Sequence, residues 1–176
     1  MVSGTADFSP CMRYRYSLTR SWDATRSELL VVMLNPSTAD AMQDDPTIRR
    51  VRGFAERWHN GGVRIMNLFA LRATDPRALL THEEPVGPEN DERLRAALEE
   101  VAAPGRTDES SKRIVLAAWG VHGKLRGRAF RVLHMVADVH WFSLGKTQCG
   151  SPRHPLYVAG ATPLTEFLFT RGGGGS

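Results

Sequence analysis

The chain has 176 residues, 41% of them apolar and 24% charged, which fits one soluble globular domain and leaves little room for a second core. Its formal charge is +4 and its pI about 9.5, a modest excess that admits phosphate as a partner without requiring it. No apolar run approaches the roughly 20 residues needed to cross a bilayer, the N-terminal MVSGTADFSPCMRYRY lacks the apolar stretch of a secretory signal, and two cysteines, Cys11 and Cys149, are too few for a zinc or iron–sulfur site. A lone disulfide is one reading of the pair, but a cytoplasmic protein with two buried or idle thiols and no membrane or metal partner is expected.

In chain order, YRYSLTRSW before residue 28 reads as an edge strand or hairpin. ELLVVML (28–34) is a buried strand that ends at Asn-Pro. Ile48, Val51, Ala55 and Trp58 recur at helical spacing over 46–58, with Asp44 and Asp45 as caps and Gly61-Gly62 as the stop. VRIMNL (63–68) is a second strand, followed by the loop FALRATDP. A helix is expected over Glu89 to Val101, then a polar connector, PGRTDESS (104–111). RIVLAAW (113–119) is a third strand, 124–137 a helix burying Leu125, Ala129, Val132, Leu133 and Val136, and VHWFSL (139–144) a fourth strand. A long loop, KTQCGSPRHPLY, follows, and Thr162-Pro163 opens a last short helix. Strands alternating with helices predict a three-layer α/β/α fold with a mostly parallel, four-stranded central sheet. The domain spans residues 1–171, and the tail, 172–176, resembles a linker remnant.

Ligands of such sheets bind beyond the carboxyl ends of the strands, which selects residues 35–47, 67–76 and 145–157. In the first, Asn-Pro forces a rigid, non-helical exit that leaves the Asn35 amide for a water or a substrate, or for an Asx-turn that only shapes the loop. Asp40, Asp44 and Asp45 in the same loop offer a base, helix caps or ligands for a hard cation. In the second, Asn67 carries both donors and an acceptor and can read a pyrimidine edge, while Arg72 meets a phosphate or braces Asp75. In the third, His154, held between Arg153 and Pro155, can donate to an oxygen that gains negative charge. Two basic clusters, Arg49/Arg50/Arg52/Arg57 and Lys124/Arg126/Arg128/Arg131, are either phosphate tracks or solvated helix faces. No HxxxH, HExxH, GxSxG, GxGxxG or Walker spacing is present.

LNPS (34–37), MNLFALRATDP (66–76) and RHPLY (153–157) occur in an order that resembles the uracil-DNA glycosylase superfamily across residues 28–157. LNPS is similar to the Gly-Ile-Asn-Pro-Gly motif of the mismatch-specific and thymine-DNA glycosylases. MNLFALRATDP is similar to the Asn-Val-Val-Lys-Cys-Arg-Pro-Pro segment of the thermophilic iron–sulfur class, and RHPLY to the His-Pro-Ser loop. More narrowly, LNPSTAD, DDPT, NLFALRATDP and PRHPLY resemble a bacterial and phage family of unassigned function. Met33 and Ser37 stand where the glycosylases place glycines, Leu156 replaces the serine after His-Pro, and Leu71 stands where the iron–sulfur class has a cysteine.

The resemblance implies a monofunctional glycosylase for uracil or a modified pyrimidine in single- or double-stranded DNA, monomeric and without a cofactor. It implies that His154 stabilises charge at the base O2, that Asn35 orients the water, and that Asp45 or a neighbouring aspartate supplies a base. Asn67, Phe69, Ser37, Thr47 and Pro36 would then form the base pocket, with Phe69 as a stacking partner. Arg72, Arg153, Lys146, Leu156 and Tyr157 would contact DNA, Leu156 or Tyr157 as the duplex wedge. Two other readings share this pocket: a binding module without turnover, and an enzyme of free nucleotides.

Overall fold

A strand buried on both faces reads as an unbroken apolar run, because neither pleat points to water. ELLVVM is such a run and lies at the centre of the sheet. In the computed structural model, which describes residues 2–37, 44–103 and 114–168, the strands are β1 (Ser3–Phe8), β2 (Arg15–Ser21), β3 (Glu28–Met33), β4 (Gly62–Asn67), β5 (Val115–Ala117), β6 (Trp141–Ser143) and β7 (Thr165–Glu166). Their order is β1-β2-β4-β3-β5-β6-β7. The four central strands, β4, β3, β5 and β6, are mutually parallel and are those read from the apolar runs. The whole sheet is nevertheless mixed: the β1–β2 hairpin pairs antiparallel with β4 on one side, and β7 pairs antiparallel with β6 on the other. Thr162-Pro163 leads into β7 and not into a helix, so the expectation of a final helix is corrected.

Helix α1 (Pro46–Arg57) starts at Asp45, whose side chain accepts from Ile48 N, with Pro46 in the first turn. It buries Ile48, Val51, Phe54 and Ala55 against Leu29, Val31, Met33, Val63 and Ile65. The opposite face of the sheet, Leu30, Val32 and Val115, is covered by Leu79 of the one-turn helix α2 (Ala78–Thr81), by Leu94, Ala97 and Leu98 of α3 (Asn90–Ala102), and by Ala129 and Val132 of α4 (Arg128–Leu133). This gives the three layers. Because β4 and β5 flank β3 on opposite sides, the strand order reverses at β3, and the carboxyl end of such a switch point is where ligands of parallel sheets bind. Among the described residues, no helix is long and apolar enough to cross a membrane.

Two helix boundaries depart from the sequence reading. α1 stops at Trp58 and His59, whose φ of 61° is left-handed, and not at Gly61-Gly62. Gly62 instead opens β4 and Gly61 precedes it, where the 22–27 turn crosses them. Gly61 donates to Ser27 O, and its own oxygen accepts from Trp22 N and Asp23 N. A Cβ on Gly61 would lie 1.9 Å from the Asp23 oxygen, so Gly61→Ala is expected to cost roughly 1–3 kcal/mol. Thermal denaturation checks this, and an unchanged midpoint would contradict the close approach.

The single helix expected over 124–137 is two pieces. A 3-10 segment, Val121–Gly127, breaks at Leu125 (φ −51°, ψ 131°) and Arg126 (φ 52°, ψ 23°) before α4 begins. Gly123 must be a glycine here, since a Cβ would sit 2.0 Å from Trp119 Cδ1.

Candidate functional site

The described parts of the three loops singled out by sequence, 35–37 with 44–47, 67–76 and 145–157, sit together at the carboxyl edge of the parallel strands. Beyond β3, the chain stays alongside the exit of β4: Leu68 N donates to Met33 O, Phe69 N to Leu34 O, and Ala73 N to Pro36 O. Asn35 Nδ2 donates to Ala73 O at 2.7 Å and to Pro36 O at 3.1 Å. Its amide hydrogens thus tie the two exits together, and its carbonyl oxygen is the pole left to face a ligand, an acceptor and not a donor. Pro36 is buried and Ser37 half-buried. Ser37 Oγ donates to Asp45 Oδ2, while Asp45 Oδ1 accepts from Ile48 N at 2.8 Å. Asp45 therefore caps α1 with one oxygen and holds Ser37 with the other. Thr47 follows in the first turn of α1. Asp40 lies outside the described residues.

Asn67, the last residue of β4, is 1% exposed, and among the described residues its Nδ2 has no hydrogen-bond partner. Its backbone is held from behind. Asn90, fully buried at the start of α3, donates from Nδ2 to Asn67 O (3.0 Å) and Leu68 O (3.2 Å). Arg128 Nε donates to the same Leu68 oxygen at 2.6 Å. Arg128 is itself 2% exposed, faces the Asp91 carboxylate at 2.5 Å, and has its pKa lowered by burial. Both residues escaped the sequence reading: Asn90 resembles a helix cap, and Arg128 resembles one more member of a basic cluster. The available signal was spacing, since Arg128 lies four residues before the buried Val132 on one helical face.

His154 ends a tightly turned loop. Within it Lys146 pairs with Pro152, Thr147 N donates to Ser151 O, and Arg153 N donates to Gly145 O. Gly145 and Gly150 supply left-handed turns (φ 89° and 79°), and Gly120 N donates to Pro152 O, pinning the loop to the exit of β5. His154 Nδ1 accepts from Leu156 N at 3.3 Å and caps a 3-10 turn, Pro155–Tyr157, so the ring proton is assigned to Nε2. Burial holds this imidazole below its ordinary value, partly opposed by the negative charge of Asp45. The neutral ring is thus favoured in the fold. Its contribution to stability is complete above about pH 6.5, the unfolded value, and is lost as pH falls through the depressed folded value. An NMR titration of His154 is expected to give a midpoint below 6.5, and Asp45→Asn is expected to lower it further. A midpoint at or above 6.5 would overturn this account.

Leu156 and Tyr157 project beside His154, 40% and 78% exposed, with the Tyr157 ring 5.5 Å from the imidazole. Arg153 is exposed on the same loop. Other residues expected at the site are placed elsewhere. Phe69 is fully buried in the core, because Phe69 N and Ala70 N are tied to Leu34 O and Val86 O, so its ring has no open face for a base. Arg72 braces the β1–β2 hairpin: Nη1 donates to Met12 O, and the guanidinium lies 5.0 Å over Phe8. Lys146 donates to Leu168 O and lies 5.3 Å over the Phe167 ring. The basic clusters are not continuous tracks. Arg52 pairs with Glu56, Arg50 donates to Val158 O, Arg126 donates to Leu80 and His82 carbonyls, and Arg128 is interior. Cys11 and Cys149 are free and exposed.

A family model described as a protein of unknown function, DUF1643, matches residues 15–156, a stretch that runs from β2 into the turn after His154. The chain belongs to the DUF1643 family. The match takes in Asn35, Asn67, Asn90, Arg128 and His154 and leaves out the edge strands β1 and β7. Searches of curated proteins and of solved structures returned no match.

Proposed function

We propose that this DUF1643 chain is a cytoplasmic, monofunctional DNA glycosylase of the uracil-DNA glycosylase plan, acting on uracil or a modified pyrimidine. The observation that carries the reading is the unpartnered Asn67 amide, buried at the carboxyl edge of the parallel strands. An unmet buried donor costs about 1–3 kcal/mol, and the carbonyl oxygen of an extruded pyrimidine supplies the acceptor it lacks. His154 then donates from Nε2 to the base oxygen that gains charge as the glycosidic bond breaks. Asn35 offers its carbonyl oxygen to a water hydrogen and orients the attack on C1′. Leu156 and Tyr157, exposed beside His154, fill the gap left in the stack.

The test is a cleavage assay on labelled oligonucleotides, followed by alkali. The panel holds uracil, mismatched thymine, hydroxymethyluracil and glucosylated hydroxymethylcytosine, each single- and double-stranded. Scission that disappears in His154→Ala supports the enzyme and names its base. One observation favours a second reading, a binding module without turnover: the amide hydrogens of Asn35 and both oxygens of Asp45 are already engaged within the protein. Binding without scission on any member of the panel would select it.

A further inference from the structure

We infer that the cavity between the exit of β5, α4 and the loop before His154 is a second site, which takes one mononucleotide unit, a base with its phosphate. The cavity measures about 350 Å³, within the size range of small-ligand sites. Three aromatic rings contribute to its lining: Trp119 and Phe167, both nearly buried and edge-on to one another at 6.0 Å, and Phe130, partly exposed at the opening. Among the described residues, the charged ones that line it are Lys124 and Lys146, with no carboxylate beside them. Each ammonium gives one hydrogen bond to a main-chain oxygen at 2.8 Å, Lys124 to Cys149 and Lys146 to Leu168, which fixes both heads at the rim. An ammonium has three N–H donors, so two on each remain for an anion.

A cavity toward the far edge of the sheet differs in charge. There Arg64 and Arg93 line a space of about 440 Å³ but are already paired with Glu28, Glu100 and Asp7, which leaves no net positive field. In the lysine-bearing cavity no carboxylate among the described lining residues offsets the positive charge, and a flat ring can meet the partly exposed Phe130 at its mouth. One phosphate between the two ammonium groups and one base against Phe130 satisfy both features. The wall made by Lys146 and residues 149–152 belongs to the loop that ends at His154, which joins the cavity to the proposed site through one segment of chain.

The protein carries its own reporter. Cys149 sits on the rim, and bonds to the Ser151 and Thr147 hydroxyls bring its thiol down to about 7. Cys11, also at about 7, lies in the β1–β2 turn at the far edge of the sheet and serves as the internal control. The experiment is alkylation by iodoacetamide at pH 7, read site by site by peptide mass spectrometry, with dTMP, a 5′-phosphorylated thymidine pentamer or inorganic phosphate present.

With ligand at ten times its Kd, Cys149 is expected to react about tenfold more slowly, while Cys11 is unaffected. The ratio with and without ligand returns to one in the Lys124→Ala/Lys146→Ala variant. Protection by dTMP assigns the site to free nucleotides, and protection by the pentamer alone assigns it to a neighbouring nucleotide of a bound strand. Protection by inorganic phosphate equal to that by dTMP, no protection at all, or equal slowing at both cysteines would overturn the inference. His154→Ala is expected to keep the protection, so this result and the cleavage assay fail independently.

Discussion

Asn67→Ala is expected to lower kcat/KM on the target base by about 10²–10³-fold, the usual cost of removing one positioned donor from a reacting oxygen. Stability is expected to change by less than about 1 kcal/mol. Truncating a residue that is 1% exposed would ordinarily be costly, but here the side chain holds a buried donor with no partner, and its loss relieves that penalty. The main-chain bonds that Asn67 and Leu68 make to Asn90 and Met33 survive the substitution. Large loss of activity at constant stability is the signature of a group strained for function. Steady-state kinetics paired with thermal denaturation decides the matter. A drop of several kcal/mol in stability would mark Asn67 as a structural residue and remove the main support for the pocket.

Asn90→Ala is expected to do the reverse. It removes two buried hydrogen bonds, to Asn67 O and Leu68 O, and empties a fully buried position. The bond to Leu68 O, which keeps a second donor, is worth about 1 kcal/mol, and leaving Asn67 O bare in the interior costs about 1–3 kcal/mol, so the total is about 2–4 kcal/mol. At roughly 2–4 °C per kcal/mol for a chain of this size, the melting temperature falls by roughly 5–15 °C. Leu68 O keeps Arg128 Nε, so the exit of β4 is weakened and not released. Differential scanning calorimetry measures the shift, and a midpoint within 1–2 °C of the parent would show that Asn90 holds nothing.

What could be read from sequence follows from which residues are buried on both faces. ELLVVM and RIVLAAW announce themselves as runs because they are interior strands, and α1 is announced by Asp45, Pro46 and the spacing of Ile48, Val51 and Ala55. The edges of the sheet are quieter. β2 alternates buried and half-buried positions, and β7 is two residues long, too short for any period to show. The break at Leu125–Arg126 is invisible to spacing, since Leu125, Ala129 and Val132 still fall at helical intervals across it. At the site, Asn35 and His154 are readable because a following proline fixes each exit. Asn90 and Arg128 are not, because which donor meets which carbonyl is decided by the packing of α3 and α4 against β4. Phe69 misleads for the same reason: it lies in a loop by sequence but is drawn into the core by its neighbours' main-chain bonds.

The placement of β3 also governs how the chain emerges from the ribosome. Leu30 acquires its β4 partner, Arg64, early, but its other partner is Val115, 85 positions downstream. At ~5–20 residues per second, the apolar β3 edge waits about 4–17 s during synthesis before β5 exists to cover it. For that interval the nascent protein carries an open, strongly β-forming edge, and co-translational chaperone demand should concentrate there.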